Sequence, residues 1–193
     1  PYGEVGILDW YTASVAVFAT LLLAAHGATY LRLKTIGNVH ARSERLARAF
    51  WSVTLVLFPL VSVATWFIRP QLYQLMAARP IAWFFVAVLL GGMWLLWTGF
   101  RRPAEIWAFV GSCAVIIGLL GAAAAGVFPE FLHSTLSPEY SLTAYAGATS
   151  GSGLGIALVW WPIAAALAAF YFVTISRKYA GKVRVSEDTQ GFY

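Results

Sequence analysis

The chain has 193 residues, of which 60% are hydrophobic, 16% aromatic and only 11% charged. Soluble domains carry about 25% charged residues, so this polar surface is too small to cover a water-soluble globule, and the chain is an integral membrane protein. The formal charge of +5 does not point to nucleic acid, because the basic residues sit at the ends of apolar runs and make no stripe on a soluble fold.

The chain opens on Pro1, and PYGEV has neither the basic n-region nor the cleavage site of a signal peptide. It is therefore expected to be a fragment or a processed product. Crossing a bilayer takes roughly 20 mainly apolar residues, and five segments meet that test. Each is expected to be a helix, because backbone groups in lipid must be satisfied within the segment.

The first span covers about 10–33, with Trp10 and Tyr11 at one interface. Setting aside Arg32, which can snorkel from its helix end, its His26 is the only acid, base or histidine within the five spans. An ionisable group at such depth is a functional hypothesis by default. Three readings stay open: an interhelical hydrogen-bonding residue, with Gly27-Ala28 letting a neighbour come close, a proton- or quinone-linked group, or a haem ligand. A bis-histidine haem site needs two imidazoles at similar depth, and His40 and His133 fall in opposite loops. A His26/Met93 pair rests on residue type alone.

The segment KTIGNVHARSERLAR, residues 34–48, is read as a loop with Arg42, Arg45 and Arg48 near helical spacing. It serves either as a solvated topology determinant or as a surface for anionic headgroups. The second span covers about 49–67 and the third about 81–100, where Gly91-Gly92 is the one hint of a broken, transporter-like helix. The fourth covers about 106–128 and holds the single cysteine, Cys113, read as a packing residue, and the small-residue run Ala122 to Ala125. Trp10, Trp66, Trp83, Trp97, Trp107, Trp160 and Trp161 lie near span ends, as interfacial anchors do.

Between the fourth and fifth spans runs a segment without Lys or Arg, 129–153. Loops this long are usually functional or disordered. Tyr140, Leu142 and Tyr145 give this one something to pack with, so it is expected to form an ordered external cap. Its Ser141, Thr143 and Ser150 are expected to fix it through side chain to backbone bonds. The fifth span covers about 154–175, and 176–193 is a tail. Eleven of the thirteen Lys and Arg lie on one side of this arrangement. The positive-inside rule makes that side cytoplasmic, with the N-terminus outside and the C-terminus inside. The architecture is all-α, a single polytopic transmembrane domain over 1–193. The spans contain no carboxylate for a proton relay, and the glycine-rich 146–155 run lacks the Lys of a phosphate loop.

Three stretches give the chain a likeness. They are His26-Gly27-Ala28-Thr29-Tyr30-Leu31 with Lys34-Thr35 and Gly37; Phe128-Pro129 with Ser141-Leu142-Thr143, Tyr145 and Ala148-Thr149-Ser150; and Tyr171, Arg177, Gly181, Lys182 and Val183. In this order and spacing they resemble subunit II of the cytochrome bd quinol oxidases, over its C-terminal portion. The family often has Asn or Asp where this chain has Ala146, and Gly151-Ser152 replaces a more usual turn. The resemblance implies a non-haem subunit of a respiratory quinol:oxygen oxidoreductase in a prokaryotic cytoplasmic membrane. It would form a heterodimer with a haem-bearing subunit I that holds haems b and d, and would have no catalytic centre, cofactor or metal of its own. It leaves room for a bound quinone or membrane lipid. His26, Gly27, Lys34, Thr35, Gly37, Ser141, Thr143 and Ser150 are its candidate interhelical or assembly residues. The rival readings are an independent small membrane transporter and a b-haem membrane anchor.

Overall fold

The computed structural model describes residues 9–132, 134, 137–148 and 151–183. They form two compact units, one made of the described residues up to Val127 together with 182–183, the other of those from Phe128 to Gly181. His133, Thr149, Ser150 and Arg184 lie outside the described residues.

The first unit contains α1 (Trp10–Lys34), α2 (Gly37–Ile68), α3 (Pro70–Ala77), α4 (Pro80–Arg101) and α5 (Ile106–Val127). Asp9 caps α1, its carboxylate accepting from the Thr12 N–H at 2.7 Å. Pro70 and Pro80 open α3 and α4 at the position where a missing N–H costs nothing. The chain turns from α1 into α2 within residues 35–36, and Gly37 makes this possible with φ of 65°.

Two expectations change here. Residues 37–48 are not a loop but the beginning of α2, because the run after Gly37 has no helix breaker and carries a Glu44–Arg48 pair one turn apart. The 32 residues of α2 rise about 48 Å against a hydrocarbon layer of about 30 Å. The first three turns therefore project, and the apolar crossing part remains 49–67. The helix α3 also went unforeseen, being two turns within a connection read as loop. Five helices, α1, α2, α4, α5 and one over Gly151–Lys178, are long enough and apolar enough to cross a membrane, as the composition demands.

α1 and α2 form one antiparallel pair, held by Tyr11 Oη to Thr65 Oγ1 at 2.9 Å, by Phe18 against Phe58 and by Trp51. The buried Trp51 Nε1–H donates to Thr29 Oγ1 at 3.0 Å, and the Thr29 hydroxyl donates to the Ala25 carbonyl at 2.8 Å. Thr29→Val keeps the volume but strands a buried indole N–H. It is expected to lower stability by about 1–3 kcal/mol, read as a lower midpoint of unfolding in denaturing detergent.

α4 and α5 form the closer pair, through glycines that let backbone touch backbone. A Cβ on Gly99 would stand 2.3 Å from the Ala108 nitrogen, on Gly111 2.4 Å from the Leu96 nitrogen, on Gly118 2.4 Å from the Leu89 nitrogen, and on Gly92 2.7 Å from the Val115 nitrogen. Each helix places these glycines seven residues apart, which keeps them on one stripe. α4 runs unbroken through Gly91-Gly92, so the hint of a discontinuous transporter helix falls. Gly92 is a packing point instead. The Arg79 guanidinium donates to the Ala125 carbonyl and closes the C-terminal end of α5, where a cation meets the negative end of the helix dipole.

The second unit contains β1 (Glu130–Leu132), a single 3-10 turn (Pro138–Tyr140), β2 (Leu142–Thr143) and α6 (Gly151–Lys178). β1 and β2 pair antiparallel, Glu130 opposite Thr143 and Leu132 opposite Leu142, a small exception to an all-helical chain. Tyr140, Leu142 and Tyr145 do not supply the interior expected of them. They are 72%, 45% and 74% exposed, and Tyr145 meets Phe128 edge-on. The segment is instead held by hydrogen bonds, among them the Ala144 N–H to Pro129 carbonyl bond of 2.7 Å. Within this unit α6 buries none of its residues.

Candidate functional site

His26 joins the two helix pairs of the first unit. Its Nδ1 lies 2.8 Å from Ser112 Oγ on α5, and the ring stacks on Phe109 with centroids 5.3 Å apart. The Ser112 hydroxyl proton is already given to the Phe109 carbonyl at 2.7 Å. The serine oxygen then accepts from Nδ1–H, which leaves Nε2 outside this bond. Gly27 lets no neighbour of this chain approach, contrary to expectation. A Cβ there would meet nothing within 4 Å, and the buried small residue is Ala28.

The other candidates sit elsewhere. The Lys34 carbonyl accepts from the Val183 N–H at 2.7 Å, the Thr35 hydroxyl donates to the Leu31 carbonyl at 2.7 Å, and Gly37 makes the turn into α2. In the second unit Ser141 Oγ accepts from the Ser134 N–H at 3.0 Å and Thr143 Oγ1 from the Ala146 N–H at 3.1 Å. The structure thus brings together the residues of the 34–37 turn, and leaves His26 about two turns deeper in α1.

Sequence reasoning missed a charged network around that turn. Arg32 does not snorkel to water: it is 5% exposed, 3.9 Å from the Glu44 carboxylate and 4.9 Å above the centre of the Phe100 ring. Its Nε and Nη1 are buried without a hydrogen-bond partner among the described residues. Glu44 is shared, since Arg48 Nη2 also reaches it at 2.7 Å and donates on to the Phe100 carbonyl at 3.1 Å. His40 donates through Nδ1 to the Arg32 carbonyl at 2.9 Å, so its Nε2 faces Glu44 at 3.7 Å and Glu105 at 3.6 Å. Lys182 closes the network on Glu105 at 2.6 Å. In the projecting turns of α2, the hydrogen bond from Arg48 holds the Glu44 carboxyl below its ordinary value. Burial opposes this, and the nearby charges of Arg32, Arg48 and His40 add to it. The signal that could have revealed the network was the Glu44–Arg48 spacing, which marks a helix surface.

The described histidines do not fit a haem pair. His26 faces Ser112 within the bundle, whereas His40 lies at the end of α1 with its nitrogens turned to a carbonyl and two carboxylates.

A family model described as cytochrome bd terminal oxidase subunit II matches residues 2–178 of the chain. No curated protein matches it by sequence.

Proposed function

The chain belongs to the cytochrome bd terminal oxidase subunit II family, and on that premise we propose that it is the non-haem subunit that supports a haem-bearing subunit I. Its part in a bd-type oxidase, and so in an oxidoreductase complex that spans the membrane, follows from the family and the five apolar helices. The finer assignment is structural: covering the redox subunit from lipid and fixing its helices, with haems b and d held by that partner. The observation that carries it is the family match over residues 2–178, with five helices long and apolar enough to face lipid. A helix that is apolar all round is meant for lipid or another chain.

The same reading sets Lys34, Arg42, Arg45, Arg48, Arg101 and Arg102 on the cytoplasmic side by the positive-inside rule, in a prokaryotic cytoplasmic membrane. The 34–37 turn, Gly27 and the loop serines would then be assembly points, and His26 a residue that locks α1 to α5. Purification through a tag on this chain in mild detergent tests the proposal. A second, haem-bearing polypeptide at equal amount is the expected companion, and a chain that purifies alone and transports a solute would overturn it.

His26→Ala removes one interhelical bond while Ser112 keeps its bond to the Phe109 carbonyl, a loss of about 1 kcal/mol. The yield of assembled complex is expected to fall, with turnover per assembled complex unchanged. Full assembly with lost turnover would give the imidazole a chemical role.

A further inference from the structure

The groove between α1, α2, α4 and α5 has a volume of about 610 Å³, within the size range of small-molecule sites. Its wall is apolar and aromatic, with Trp51, Phe58, Met93 and Trp97 among the lining residues, and among the described residues Arg48 and Arg101 are the charged side chains on it. The two arginines belong to one end. Arg48 reaches the carbonyl of Phe100, the residue preceding Arg101, at 3.1 Å, and the Arg101 guanidinium lies 4.2 Å over the Trp97 ring. That end is where the apolar part of α2 begins and where α4 finishes, the depth at which lipid headgroups meet a helix bundle.

Charge selects the occupant. Glu44 sets one negative charge against Arg32 and Arg48, and among the described residues no carboxylate pairs with Arg101. A neutral amphiphile in the groove would leave this excess of positive charge at its mouth. A phosphodiester with no compensating ammonium would meet it, while an acyl chain follows the aromatic wall inward.

We propose that this groove is a binding site for one anionic phospholipid, its phosphate between Arg48 and Arg101 and one acyl chain along Trp51, Phe58 and Met93. The site holds lipid as part of the folded subunit, and so goes beyond the assembly role without depending on it.

The test uses the protein purified through a tag on this chain, with any companion it retains, stripped with detergent, then given equal amounts of phosphatidylglycerol and phosphatidylcholine of distinguishable mass. Lipid retained per protein is read by native mass spectrometry. Phosphatidylglycerol is expected to be retained at one per chain in preference to phosphatidylcholine. Arg101→Gln, at an exposed guanidinium without an ion pair, is expected to cut that preference about fivefold, as one basic residue near the headgroups contributes. Met93→Trp, which fills the groove, should lower retention of both lipids. Equal retention of the two lipids, a preference untouched by Arg101→Gln, or recovery of a neutral quinone in place of phospholipid in both proteins would each overturn the proposal.

Discussion

Gly118→Val is expected to abolish recovery of the folded subunit, while Gly91→Ala, one helix over, leaves it intact. The first Cβ carbon at residue 118 would lie 2.4 Å from the Leu89 nitrogen and 2.7 Å from its Cα. Both are backbone atoms, so no rotamer change relieves the clash, and α4 must move off α5. The same stripe then loses the contacts of Gly92, Gly99 and Gly111. Overpacking costs about 1–3 kcal/mol at an ordinary core site and more where nothing can yield. Valine in place of glycine recovers less than about 1 kcal/mol of helix propensity. At about 3 kcal/mol net, the packed population falls more than a hundredfold. A Cβ on Gly91, by contrast, meets nothing within 4 Å. Comparing limited proteolysis of the two variants in detergent reads the difference, and equal protection would show that the α4–α5 contact is looser than described.

Glu44→Gln is expected to destabilise the charged end of the bundle by about 2 kcal/mol, and Arg48→Gln by under about 1 kcal/mol, although both break the same 2.7 Å ion pair. The difference is Arg32. Its guanidinium is buried with two nitrogens already unpartnered, and Glu44 is the carboxylate beside it. A fully buried pair broken on one side costs about 3–5 kcal/mol. The figure is set lower here because the Glu44 side chain is 30% exposed. Arg48 is 53% exposed, and the Phe100 carbonyl that it leaves accepts in an exposed bond that water can replace. The carboxyl of Glu44 is held below its usual value, so its contribution is complete above about pH 4.3, the unfolded value. It disappears as pH falls further, through the lowered folded value. The wild type and Glu44→Gln should therefore converge in stability in acid and separate above that pH. Curves that stay parallel would remove Glu44 from the account.

Composition alone made the five spans legible, because a membrane needs long apolar runs and this chain has five. What composition could not show is how the runs touch. The glycines of α4 and α5 stand out only once the helices are set antiparallel, when 99 meets 108 and 118 meets 89. Residues 37–48 read as a loop because charge was taken for connection, although Glu44 and Arg48 had the spacing of a helix. His26 was singled out by depth, yet its partner Ser112 carries no signal in a span full of small residues. Tyr140 and Tyr145 show the converse: aromatic side chains promised an interior that the backbone pairing of β1 and β2 supplies instead. Ser150 lies outside the described residues.

The central claim is that this subunit shapes and covers a redox partner and holds no haem. The optical spectrum of the chain separated from its partner tests that most directly, with the intact complex as reference. The account predicts haem absorption in the complex and none in the separated chain, with His26→Ala leaving the spectrum of the assembled complex unchanged. A Soret band that stays with this chain, and is lost on His26→Ala, would contradict it.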